Sequence, residues 1–171
     1  MQWGNTTYDI SNNPTDQTVN LYALAARFRI VDLAASYVHD FSRYSVGVSS
    51  EAVRNIAYNL GVVESLSGQS FAAPQNKGYV AEVSFGDPSV DHFGRWRAAI
   101  GYRYVQADAV LDAWTDADFH GGGTNAAGYY LWTSLGLTNN TWLRLRYLSA
   151  NEITGLRYAQ DVVQFDVNAK F

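Results

Sequence analysis

The feature that most constrains this chain is a period of two in its apolar residues, repeated in segment after segment. Near the C-terminus Val163, Phe165, Val167, Ala169 and Phe171 share one parity, while Gln164, Asp166, Asn168 and Lys170 take the other. Trp96, Ala98, Ile100, Tyr102 and Tyr104 alternate in the same way with Arg95, Arg97, Ala99, Gly101 and Arg103. Leu143, Leu145 and Tyr147 alternate with Arg144 and Arg146, and Tyr79, Ala81, Val83 and Phe85 with Val80, Glu82 and Ser84. Side chains along a strand point to opposite faces in turn, so these runs are strands with one apolar face. The pattern predicts ten strands, at about 2–10, 17–30, 33–39, 44–50, 55–66, 77–86, 94–107, 123–137, 141–153 and 158–171, and no helix. Pro14, Pro74 and Pro88 all fall between these strands, where a missing N–H does no harm.

The predicted connections sort into two classes. Short turns fall at 31–32, 51–54, 87–93 and 138–140. Longer loops fall at 11–16, 67–76 and 108–122, with 40–43 and 154–157 as shorter members of the same class. Up-and-down strands place successive connections at opposite ends, so one end is tightly turned and the other bears loops. Outer-membrane barrels have this asymmetry.

Alternation alone does not say whether the apolar face points inward, as in a soluble barrel, or outward toward lipid. Three features favour lipid. The strands are about the 9–11 residues that cross a bilayer at a steep tilt. The opposite face mixes Arg with Gly, Ala, Ser and Asn, unlike an ordinary wet surface. Aromatic residues such as Trp96, Tyr102, Tyr104, Phe165 and Phe171 lie toward strand ends, as an interfacial girdle requires. Charged residues make up only 16% of the 171, against about 25% in a soluble domain. The fold expected is therefore all-β: one domain over 1–171, a transmembrane antiparallel up-and-down barrel with about ten strands here, whole or part of a larger barrel. Its partner is then outer-membrane lipid. A net charge of −4 without a basic run excludes a nucleic-acid binder. No leader peptide is visible, so the chain reads as a mature form or a piece of something longer.

Facing lipid with the apolar parity puts Arg27, Arg29, Arg95, Arg97, Arg103, Arg144, Arg146 and Lys170 on the lumen side. Only Glu82 and Asp166 join them by the same rule, a net of +6 from eight cations and two acids. A basic wall raises the local anion concentration. The plain alternative is that these side chains fill a narrow interior, since about eight strands already leave just enough room for side chains. The loop 108–122 carries Asp112, Asp116, Asp118 and His120 and ends in Gly121 to Gly123. Its acids can fold into the mouth against the arginines as a constriction, bind Ca²⁺ through oxygen ligands, or simply lie solvated. No complete metal motif, phosphate loop or nucleophile elbow is present, so no catalytic residue, metal or cofactor is assigned.

From about Asp87 onward the chain resembles the C-terminal part of the proteobacterial "putative porin" family of outer-membrane barrels. The resemblance is carried by Gly94-Arg95-Trp96-Arg97, Gly101-Tyr102-Arg103-Tyr104, the run from Asp108 to Phe119, Asn140 to Arg146, and Val162 to Phe171. It implies a Gram-negative outer-membrane channel for passive diffusion of small solutes or ions, not an enzyme. The ending Val163, Phe165, Val167, Phe171 also resembles the signal by which such barrels are recognised by the barrel assembly machinery, a second implied partner. Family members are longer and begin with a signal peptide. A closed structural barrel or a shortened barrel without an open pore are thus competing expectations, with a soluble β-barrel ligand binder behind them.

Overall fold

The structure is a computed structural model that describes residues 4–11 and 21–170. Nine strands occur among them. β1 (Thr7–Asp9) and β2 (Tyr22–Leu24) form a small antiparallel pair. The other seven are β3 (Ile30–Phe41), β4 (Tyr44–Asn55), β5 (Lys77–Gly86), β6 (Trp96–Val105), β7 (Ala126–Thr138), β8 (Thr141–Glu152) and β9 (Ala159–Ala169). They build one antiparallel sheet in chain order, each strand beside its sequence neighbour. The up-and-down order is the one expected. The sheet is open, however: β3 and β9 are its two edges, and no pairing between them closes a cylinder among the described residues. The predicted strands 2–10 and 17–30 lie partly outside the described residues, as does Phe171.

Ladder register fixes the faces. Ala98, Ile100, Tyr102 and Tyr104 of β6 stand opposite Thr133, Leu131, Tyr129 and Ala127 of β7. Leu143, Leu145 and Tyr147 of β8 stand opposite Val167, Phe165 and Val163 of β9. This apolar face is solvent-accessible: Leu33 is 74% exposed, Ile100 55%, Val163 70% and Phe165 64%. Its aromatic side chains cluster in two bands. Tyr44, Phe85 and Trp96 lie ring to ring at the tightly turned end. Tyr79, Tyr102 and Tyr104, with Tyr129 and Tyr147, do so toward the other end. Between them one register row runs through Tyr37, Val48, Val83, Ile100, Leu131, Tyr147 and Val163 and carries no charge.

The two-ended asymmetry holds, but its members differ from those expected. One end carries the two-residue turns 42–43 and 139–140 and the connection 87–95; the other carries the long connections 56–76 and 106–125 and the shorter 153–158. The predicted loop 40–43 is a two-residue turn at the tight end. The predicted turns 31–32 and 51–54 lie inside β3 and β4. Neither contains Gly or Pro to break a strand, and Asp32 and Glu51 rest on the polar face, where a charge is tolerated.

The predicted strand 55–66 is overturned: Leu60–Ser67 is the helix α1. The Asn59 side chain accepts a hydrogen bond from the Val62 N–H at 3.1 Å, and Gly68 closes the helix with φ 68°. An Asn cap and a left-handed Gly set the two ends of a helix. They outweigh an alternation of only a few residues. α1 buries Val63 against Ala25, Ala26, Tyr58 and Phe71 at the long-loop end.

Candidate functional site

The candidate site is the polar face of the sheet. Register places Arg97 and Arg103 of β6, Arg144 and Arg146 of β8, Glu82 of β5 and Asp166 of β9 on it. The same register adds Asp32, Asp40 and Glu51, which alternation missed because their strands run beyond the predicted limits or through predicted turns, and Glu152, which shares the parity of Arg144 and Arg146 inside the predicted strand 141–153 and was not counted. The strands thus carry four arginines against six carboxylates on this face, a net of −2 where +6 was expected. The charges are only partly segregated: the arginines stand on β6 and β8 and Asp32, Asp40 and Glu51 on β3 and β4, but Glu82, Glu152 and Asp166 stand among the arginines on β5, β8 and β9.

Four of the expected cations lie off the sheet. Arg27 and Arg29 are exposed in the segment between β2 and β3, because of the described residues 21–29 of the predicted strand 17–30 only Tyr22–Leu24 pairs as strand. Lys170 follows the last residue of β9. Arg95 lies in the 87–95 turn, where its Nη1 donates to Asp87 Oδ1 at 2.7 Å. Asp87 is fully buried and also accepts from the Trp96 N–H at 3.0 Å and from Arg43 Nε at 3.5 Å. Burial by itself would raise this carboxyl, but the Trp96 N–H and the two guanidinium groups outweigh it and hold it low.

The loop 106–125 folds onto the polar face. Asp116 Oδ2 lies 3.6 Å from Arg103 Nη1, and Asp118 Oδ2 lies 3.1 Å from Arg146 Nη2. Phe119 is the anchor: it is 2% exposed and packs on Ala126, Leu148 and Ala150, with Tyr130 and Val162 beside them. The Arg103 guanidinium lies 4.9 Å from the Phe119 ring centre and 5.9 Å from that of Tyr130. Tyr130 reaches across β6 because position 101 is Gly; a Cβ there would strike the phenol ring. Trp132 Nε1 donates to Glu82 Oε2 at 3.1 Å, and the Arg144 guanidinium stacks over the Trp132 ring at 4.6 Å. Arg97 donates to Ser45 Oγ and Ser84 Oγ, both at 2.9 Å.

The other two loop candidates do different work. Asp112 turns away from the arginines and holds the loop down. It accepts from the Asn5 N–H at 2.9 and 3.0 Å and from the Thr124 N–H at 3.0 Å. Asn5 closes the knot by donating its side-chain amide to the carbonyls of Ala107 and Val110 at 2.6 and 2.7 Å. His120 is buried, with Nε2 2.9 Å from the Tyr158 carbonyl and its ring edge-on to Tyr158. Asp108 is also buried and accepts from the Thr6 N–H at 2.9 Å. Desolvation raises its carboxyl above the ordinary value. Among the described residues no group of three or more His, Cys, Asp or Glu side chains is placed to hold a metal ion.

On β9, Val163, Phe165 and Val167 project from the apolar face. The sequence model of a family described as "putative porin" matches residues 1–171, the whole chain. No curated protein and no solved structure matches significantly.

Proposed function

The chain belongs to the "putative porin" family, and from that premise we propose that it serves in the Gram-negative outer membrane as a pore for passive diffusion of small solutes or ions. The observation that carries this reading is the pairing of faces. The exposed face is apolar and free of charge between two aromatic bands, while every arginine of β6 and β8 is on the other face. An exposed apolar sheet face of this extent is unfavourable in water and suits lipid. The polar face then lines the passage. Lipid offers no partners to free backbone groups, so the β3 and β9 edges must be covered in the bilayer, by each other or by further strands. Recognition of Val163, Phe165, Val167 and Phe171 by the barrel assembly machinery belongs to the same proposal.

Anions follow the arginine strip of β6 and β8, and the loop 106–125 narrows the mouth through Asp116 and Asp118. The test is the reversal potential across a planar bilayer under a salt gradient. Replacing Arg97, Arg103 and Arg146 together with Ser shifts permeability toward cations; an unchanged potential refutes a role for the strip. A closed barrel is the second reading, favoured by the packing of Phe119 onto the polar face. It predicts inserted protein that carries no current.

A further inference from the structure

On the polar face Arg144 and Arg146 line a cavity of about 230 Å³ together with Tyr130, Trp132 and Leu148. Both arginines have a buried Nε–H without a hydrogen-bond acceptor among the described residues. The Asp166 carboxylate comes no nearer to Arg146 Nε than 3.9 Å, an ion-pair distance and not a hydrogen bond. Buried polar groups are nearly always satisfied, and a charged donor left bare is costly. Two such donors on one cavity wall therefore mark a place for an acceptor. The two residues are i and i+2 on β8, so they present their donors to the same face.

The neighbours decide its chemistry. Glu82 already accepts from Trp132 Nε1, Asp116 is paired with Arg103, and Asp118 with Arg146. Glu82, Asp116 and Asp118 are thus engaged, and the bare groups of the two arginines are donors, while Gln164, opposite Arg146 on β9, keeps a buried Oε1 without a donor and Asp166 stands only at ion-pair distance. Glu82, Arg103 and Asp116 also line the cavity, and the rest of its wall is apolar or aromatic, with Tyr130, Trp132 and Leu148. We propose that this cavity is a binding site for a small organic carboxylate, whose oxygens bridge Arg144 and Arg146 and whose apolar body lies against Trp132 and Tyr130. Bidentate capture by guanidinium groups favours a carboxylate or an inorganic oxyanion alike. The aromatic wall favours the carboxylate with a carbon body. This inference rests on the pore reading for its biological setting but not for its test.

The test is equilibrium binding to the detergent-folded full chain, read by ligand-observed saturation-transfer NMR with butyrate, its neutral isostere butyramide, and inorganic phosphate as competitor. Butyrate should bind, butyramide should not, and phosphate should compete poorly. Arg144→Gln and Arg146→Gln should each weaken butyrate by about tenfold or more, the effect of losing a charge-assisted hydrogen bond. Arg144→Lys should recover part of it, and Arg157→Gln, in the exposed 153–158 loop, should leave it unchanged. Equal binding of butyrate and butyramide overturns the arginine anchor. Phosphate binding more tightly than butyrate overturns the organic-carboxylate assignment. Near-ultraviolet circular dichroism confirms that each variant is folded, so a folded Arg144→Gln variant with parental affinity also overturns it. Because binding is read without current, a protein that binds butyrate but does not conduct refutes the pore reading alone.

Discussion

Replacing Asp112 by Ala should release the loop 106–125 and lower stability by about 3–4 kcal/mol. The magnitude comes from the donors it would orphan. The Asn5 and Thr124 N–H groups both point at this carboxylate within 3.0 Å, and both residues are 2% exposed. A hydrogen bond to a charged group contributes about 1.5–3 kcal/mol, and losing it while its donor stays buried costs the desolvation as well. Two donors set an upper figure of about 6 kcal/mol, which partial entry of water reduces. Asp112→Asn keeps one acceptor oxygen and should cost about half as much. The assay is denaturant unfolding of the detergent-folded protein, followed by tryptophan fluorescence, with proteolysis at 113–118 as a local readout of loop release. If Asp112→Ala lies within about 1 kcal/mol of the parent and the loop stays protected, Asp112 is not the anchor, and the hydrogen-bond argument fails here.

Gly4→Ala should be destabilising by a comparable amount and should phenocopy Asp112→Ala in proteolysis. Gly4 has φ +82°, and a Cβ there would strike the Asp112 carboxylate. Ile100→Arg, at the centre of the apolar face, should cost about 2–4 kcal/mol in lipid vesicles, whereas a water-exposed site would tolerate it; a neutral outcome would contradict a lipid-facing sheet. Asp108, with its raised carboxyl, holds its proton more tightly folded than unfolded. Stability should therefore fall as pH rises from the ordinary carboxylate value through the raised one, and Asp108→Asn should remove that slope. Asp87 acts with the opposite sign. Its carboxyl is held low, so its stabilisation is present above the ordinary carboxylate value and is lost as pH falls through the lowered one. Arg95→Ser should flatten that acid limb.

The parts of the fold legible in the sequence are those where alternation was long and both ends carried turn chemistry. β5 runs over Lys77–Gly86, as predicted, and β8 and β9 end within one or two residues of their predicted limits inside the described chain. The faces of β6 and β8 were legible for the same reason: Arg97, Arg103, Arg144 and Arg146 stand between apolar or aromatic residues of the opposite parity. Alternation failed where another local preference competed. At 55–66 an Asn cap and a Gly stop made a helix. At 51–54 a short turn was expected, yet the residues continue β4, with Glu51 on the polar face.

The site was legible in part. That the acidic loop would meet arginines was readable from opposite charge. Which acids do so was not. Asp116 and Asp118 reach Arg103 and Arg146 because Phe119 is pinned in the sheet, whereas Asp112 is captured by Asn5, more than a hundred residues away. The overall charge of the face was misjudged for a related reason. It depended on Asp32, Asp40 and Glu51, which fell in predicted turns or loops so that only strand register shows their face, and on Glu152, whose parity with Arg144 and Arg146 was readable but not counted.

The most direct test of the central claim is single-channel current in a planar bilayer under a salt gradient, recorded from detergent-folded full chain whose insertion is verified by heat-modifiable gel migration. A membrane-spanning sheet with a polar lining predicts discrete current steps, and a reversal potential that moves toward cations when the arginines of β6 and β8 are replaced. Inserted protein that yields no steps would contradict the pore.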